Sequence, residues 1–117
     1  MTYNSNFIPI KPISVNSCFQ GRRFRTTEFK KWQEAVIYSL PKNSSRAKTF
    51  SVSICVYLKN PLKSDIDNYA KPIIDCLVEA GVIRDDRYIF RLEMVKKKTL
   101  NKEGFEIEII EIDFVEK

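Results

Sequence analysis

Aspartates gather in one stretch of this chain: Asp65-Ile66-Asp67-Asn68, then Lys71, Asp75 and the pair Asp85-Asp86. Carboxylate oxygens are hard donors, and the cations they suit are Mg2+ and Mn2+. The chain around them carries a formal net charge of +5. Carboxylates collected within a basic protein point to a divalent cation held against a polyanion. Asp65 and Asp67 are two apart, so an extended backbone turns both to one side. Asp85-Asp86 returns after a helix-length interval with further carboxylates. Lys71 and Asp75, four apart, share a helix face, where a lysine can stabilise charge developing on a phosphate. Each piece also has a plain structural reading, because Asp and Asn cap helices and form turns. It is the joint pattern that favours chemistry.

Other chemistries are excluded. Histidine is missing, so there is no Ser-His-Asp or Cys-His triad and no histidine-ligated zinc. The three cysteines, Cys18, Cys55 and Cys76, have no metal-ligand spacing and read as reduced thiols, with Cys55 and Cys76 as small buried residues. None of the three glycines follows a phosphate-loop spacing. No stretch approaches the roughly 20 apolar residues of a membrane helix. Residues Met1 to Asn6 lack the basic and apolar regions of a signal peptide, which makes the cytoplasm the expected compartment.

Charge is unevenly spread. Residues 1–48 hold nine Lys/Arg against two acids, and residues 49–117 hold eleven against thirteen. Arg22, Arg23, Arg25, Lys30 and Lys31 flank a loop and the first helix, and Lys96, Lys97, Lys98 and Lys102 lie near a turn between two late strands. These are candidate phosphate contacts, though a solvated basic face has the same composition. Phe24 reads as a stacking wedge or as a buried anchor, and Tyr69 is equally open.

The elements that must position these residues follow from periodicity. The 117 residues, with 44% hydrophobic content, form one globular domain. Phe7 to Pro12 reads as a short extended segment, which its prolines confine to an edge or an irregular strand, and Ser14 to Arg25 reads as a loop. Thr26 or Thr27 caps a helix with Phe29, Trp32 and Val36 at helical spacing, ended by Pro41. Residues 50–58 alternate as a strand. A second helix runs from about Tyr69 to Ala80, with Gly81 as its C′ residue. Pro72 is tolerated only near its start, which leaves Asp65 and Asp67 on non-helical backbone before it. Strands over 89–95 and 105–114 follow, joined as a hairpin by a basic turn. The expected fold is α+β, in the order β-α-β-α-β-β, with one mixed four-stranded sheet and two helices.

The pattern Asp65-x-Asp67-Asn68-x-x-Lys71-x-x-x-Asp75-x-Leu77, then Gly81-Val82-x-x-Asp85-Asp86, resembles the signature of the RusA family of Holliday junction resolvases. Pro12-x-Ser14-x-Asn16, Arg22-Arg23, Thr27 and Trp32 agree with it, so the resemblance covers roughly Ile10 to Val95. It implies a homodimeric, Mg2+- or Mn2+-dependent endonuclease, often prophage-encoded. Such enzymes nick two strands of a four-way junction symmetrically, leaving 5′-phosphates and 3′-hydroxyls, in DNA recombination and repair. It further implies Asp65, Asp67 and Asp86 as catalytic metal ligands, with Asp85 the alternative to Asp86, and Lys71 as the catalytic lysine. Asp75 looks structural, as a partner for Lys71. A divalent ion in such a site supplies an activated water and neutralises charge on the phosphate. The reading from another class is a non-catalytic nucleic-acid-binding α+β module whose acids are structural.

Overall fold

The computed structural model describes residues 2–20, 24–42 and 49–115. The strands are β1 (Thr2–Asn4), β2 (Phe19–Gln20), β3 (Phe24–Arg25), β4 (Phe50–Leu58), β5 (Ile89–Lys98) and β6 (Gly104–Glu111). The helices are α1 (Thr27–Ser39) and α2 (Ala70–Glu79), and short 3-10 turns form at Val15–Ser17, Ile66–Tyr69 and Asp86–Tyr88. The main sheet has the order β1-β6-β4-β5. β4 and β5 are parallel, whereas β6 runs antiparallel to both β4 and β1. The expected α+β class, element order and mixed four-stranded sheet are borne out.

Alternation along β4 explains the layering. Phe50, Val52, Ile54, Val56 and Leu58 are buried on one face, where they meet Val36 of α1, Leu40 at its C-cap, and Ile73, Cys76 and Leu77 of α2. Side chains of this size each contribute about 1.5–3 kcal/mol when taken from water. Phe105, Ile107 and Ile109 extend this core from β6. Ser53, Cys55 and Tyr57, on the opposite face, are only half-buried, as expected of a sheet with helices on one side.

Local signals set the helix ends. Thr26 accepts a hydrogen bond from the Phe29 amide at 3.1 Å, the N-cap contact that starts α1. Pro72 is the third residue of α2, where its missing N–H costs no helical bond. Gly81 takes φ +75° just past the α2 cap, and Val82 N–H returns to Leu77 O at 2.9 Å.

Three expectations need correction. The first strand is Thr2–Asn4, paired with β6, and the Phe7–Pro12 segment contributes only an isolated bridge from Ile8 to Phe105. Its prolines remove the amides a ladder needs. The loop between Ser14 and Arg25 contains the two-residue ribbon β2–β3. The strands β5 and β6 are not a hairpin, because β4 lies between them and pairs with both. Parallel pairing of β4 with β5 requires a crossover, and α2 supplies it.

Candidate active site

The β4–α2–β5 unit carries the acids. After β4, the chain turns through Asn60 to Ser64 and enters the 3-10 turn Ile66–Tyr69, which runs directly into α2. Asp65 caps this turn with extended backbone (φ −69°, ψ 148°), its side chain making no capping bond, and Asp67 lies within the turn. The two carboxylates therefore do not share the side of an extended strand. Asp65 is extended, and the backbone turns into the 3-10 helix before Asp67, so the two-residue alternation of a strand does not relate them. Both still precede the α-helix, as Pro72 requires.

Lys71 and Asp75 form an (i, i+4) ion pair at 3.5 Å, with side chains 60% and 30% exposed. The expected pairing is present. At the far end of the crossover, Asp85 caps the turn Asp86–Tyr88 by accepting from the Arg87 amide at 3.0 Å, and its other oxygen lies 3.8 Å from Arg87 Nε. The Arg87 N–H, then the Asp86 side chain and the Arg87 charge, hold the Asp85 carboxyl below its ordinary value.

Asp67, Lys71, Asp75 and Asp86 meet around one cavity of about 390 Å3 between α2 and the edge strand β5. Its floor is apolar: Ala70, Ile74, Ile89 and Leu92. An adjoining cavity of about 240 Å3 is lined by Asp85 and Asp86, with Asp75, Val78 and Glu79. Asp86 faces both cavities, and Asp85 only the smaller. Asp65 is not among the walls of either. The structure thus brings together Asp67, Lys71, Asp75 and Asp86, and sets Asp65 and Asp85 at the margins.

The donor chemistry suits a hard cation, since the polar rim offers carboxylate oxygens and one ammonium. Among the described residues, no three His, Cys, Asp or Glu side chains stand close enough to enclose an ion. Mg2+ does not need such a cage, because it keeps several waters and takes one or two carboxylates plus a substrate phosphate. Asp67 and Asp86 across the cavity fit that mode.

The basic candidates divide. Lys30, Lys97 and Lys98 are exposed, and Lys97 Nζ lies 5.9 Å from the centre of the Tyr57 ring. Arg22 and Arg23 lie outside the described residues, and of Arg25 only the backbone, in β3, is described. Lys96 is different. Its ammonium donates to Pro61 O at 2.6 Å and Ser64 O at 2.9 Å, clamping the loop that leads to Asp65. Residue type alone did not separate it from Lys97 and Lys98. Its strand parity could have done so: it pairs with Val56, on the helix-covered face. Lys63 and Ser64, just before the acids, wall a further cavity with Lys11, Ser14 and Asn16.

Comparisons with known proteins identify the family. The family described as Endodeoxyribonuclease RusA matches residues 14–110, a span that includes both helices, the acidic turn and the paired aspartates. The chain is also similar to a protein of Aquifex aeolicus (strain VF5) named Crossover junction endodeoxyribonuclease RusA. The two are 36% identical over 92 residues, which cover 76% of this chain and 73% of that relative. A match of this extent, over the segment that builds the cavity, is a family relationship: the chain belongs to the RusA family of endodeoxyribonucleases.

Proposed function

We propose that the protein cleaves four-way DNA junctions by paired, symmetric nicks, using Mg2+ or Mn2+ held at the cavity between α2 and β5. The observation that carries this is the convergence of Asp67, Lys71 and Asp86 on one open cavity beside the sheet edge. Asp67 and Asp86 are the principal ligands, and Asp65, whose side chain makes no capping bond, is the third. Asp85 serves the turn. A divalent ion bound there supplies an activated water and offsets charge on the phosphate. Lys71 adds a fixed positive charge beside the reacting phosphodiester, and Asp75 holds the Lys71 side chain in place. With no histidine in the chain, proton transfer falls to carboxylate, lysine or water. Lys30, Lys97 and Lys98, with Arg22, Arg23 and Arg25, contact the phosphates of the junction arms.

A homodimer fits the substrate. A four-way junction has pseudo-two-fold symmetry, and a molecule of 42 × 32 × 25 Å does not reach two equivalent strands with this cavity alone. Two copies related by a two-fold axis present two sites to two equivalent strands.

The test is cleavage of a synthetic four-way junction beside a linear duplex and single-stranded DNA, with and without Mg2+ or Mn2+. The expected result is paired nicking of the junction only, with metal. Asp86→Asn lowers the rate by at least about a hundredfold. Millimolar metal raises the melting temperature of the wild-type protein and does so less for Asp86→Asn. Undiminished cutting by Asp86→Asn refutes the ligand assignment. Binding without cutting under all conditions replaces the nuclease with a binding module.

A further inference from the structure

We propose that the cavity between the Val15–Ser17 turn and the Lys63-Ser64 loop is a nucleotide subsite, taking the sugar-phosphate next to the phosphate being cut. This rests on the nuclease reading of the acidic cavity. The cavity holds about 420 Å3, within the range of roughly 300–1,000 Å3 typical of small-molecule sites. Its chemistry is the reverse of its neighbour's. Its lining includes two lysines, Lys11 and Lys63, against one acid, Glu28, and the polar residues Ser14, Asn16, Ser17, Ser64 and Tyr69; the Lys11 ammonium also lies 4.0 Å from Glu103. That is a set of donors for phosphate and sugar oxygens.

Position links the two cavities. The acidic 3-10 turn is the ridge between them: Asp67 lines the acidic cavity, Tyr69 the basic one, and Ser64 precedes the Asp65 crest. A strand lying across this ridge places one phosphate among the carboxylates and a neighbouring nucleotide among the lysines and hydroxyls. A closed duplex presents a convex backbone and does not fill a hollow of this size. A strand leaving the stack at a branch point does.

Both walls are held from beneath. Trp32 Nε1 donates to Lys11 O at 2.7 Å, and the indole is packed against Phe29 and Phe105, each with ring centroids 6.2 Å away. Lys96 holds the opposite wall through Ser64 O and Pro61 O. A cavity fixed before its ligand arrives loses less entropy on binding.

Two measurements test the subsite. In the absence of divalent cation, thymidine 5′-monophosphate is titrated into isotopically labelled protein, with thymidine as the phosphate-free control. Saturable shifts of the Ser14, Asn16, Ser17 and Ser64 amides, lost in Lys63→Ala and much weaker with thymidine, are expected. Non-saturating shifts spread over exposed lysines such as Lys97 and Lys98, or an unchanged response in Lys63→Ala, overturn the proposal. In junction cleavage, Lys63→Ala and Asn16→Ala each raise KM about tenfold and leave kcat within about twofold. KM unmoved in both also overturns it. The titration needs no cleavage. Saturable shifts in a protein that cuts nothing keep the subsite and remove the nuclease reading, and metal-dependent cutting with unmoved KM does the opposite.

Discussion

Asp85 and Asp86 differ in what their oxygens already hold. Asp85 accepts the Arg87 amide and sits beside its guanidinium, whereas Asp86 opens onto both cavities. Asn caps a turn as well as Asp does. Asp85→Asn therefore retains most junction-cleaving activity while Asp86→Asn loses it, and the comparison of the two rates is the check. Sequence supplied the pair but not this division, since adjacent identical residues are separated only by backbone direction. Cys18 offers a pH reading. Burial, then the charges of Asp75 and Glu28, push its thiol from an ordinary value near 9 up to about 11. Above pH 9 the unfolded chain releases this proton and the folded chain keeps it, so stability falls as pH rises from about 9 to 11. Melting temperature measured across that interval falls less steeply in Cys18→Ala. Below pH 9 the two profiles run parallel.

At the scale of elements, the loop before Asp65 is shaped by a residue more than thirty positions away. Lys96→Met keeps the aliphatic stem and removes the bonds to Pro61 and Ser64. It lowers kcat while stability falls by about 1 kcal/mol, the scale of hydrogen bonds lost at partly buried acceptors. Lys96→Arg restores part of the rate, and denaturant unfolding beside cleavage kinetics separates the two effects. Gly104 marks another close approach. A Cβ there would lie 2.3 Å from Ile8 O and 2.5 Å from the Phe7 ring, so Gly104→Ala forces the N-terminal segment off β6 and lowers the melting temperature. Much at this scale was legible beforehand. The β4 alternation, the Thr26 cap, the Pro72 position and the Gly81 stop are all local signals. The three-residue β1 and the two-residue β2 and β3 were not legible, because strands that short have no period to read.

For the whole molecule, the arrangement of strands was the part hidden from sequence. Insertion of β4 between β5 and β6 is a non-local pairing, and the basic stretch between the last two strands looks the same in a hairpin. Yet this topology creates the acidic cavity: the parallel β4–α2–β5 crossover brings Asp67 and Asp86, nineteen positions apart, to its walls. Long-range charge acts across this frame. Exposed lysines that neutralise phosphates release counterions, so junction affinity measured between 50 and 200 mM salt falls by orders of magnitude, with a slope that Lys97→Ala and Lys98→Ala reduce by about one each. Lys96 obeys a different rule. Its compensation comes from two peptide carbonyl dipoles rather than from a carboxylate, and such short, partly buried contacts are screened far less than exposed charges. Neither added salt nor protonation of the nearby acids removes those dipoles. Ionic strength thus governs how tightly DNA is held but not the shape of the ridge between the two cavities, and salt that strips DNA from the protein leaves its site assembled.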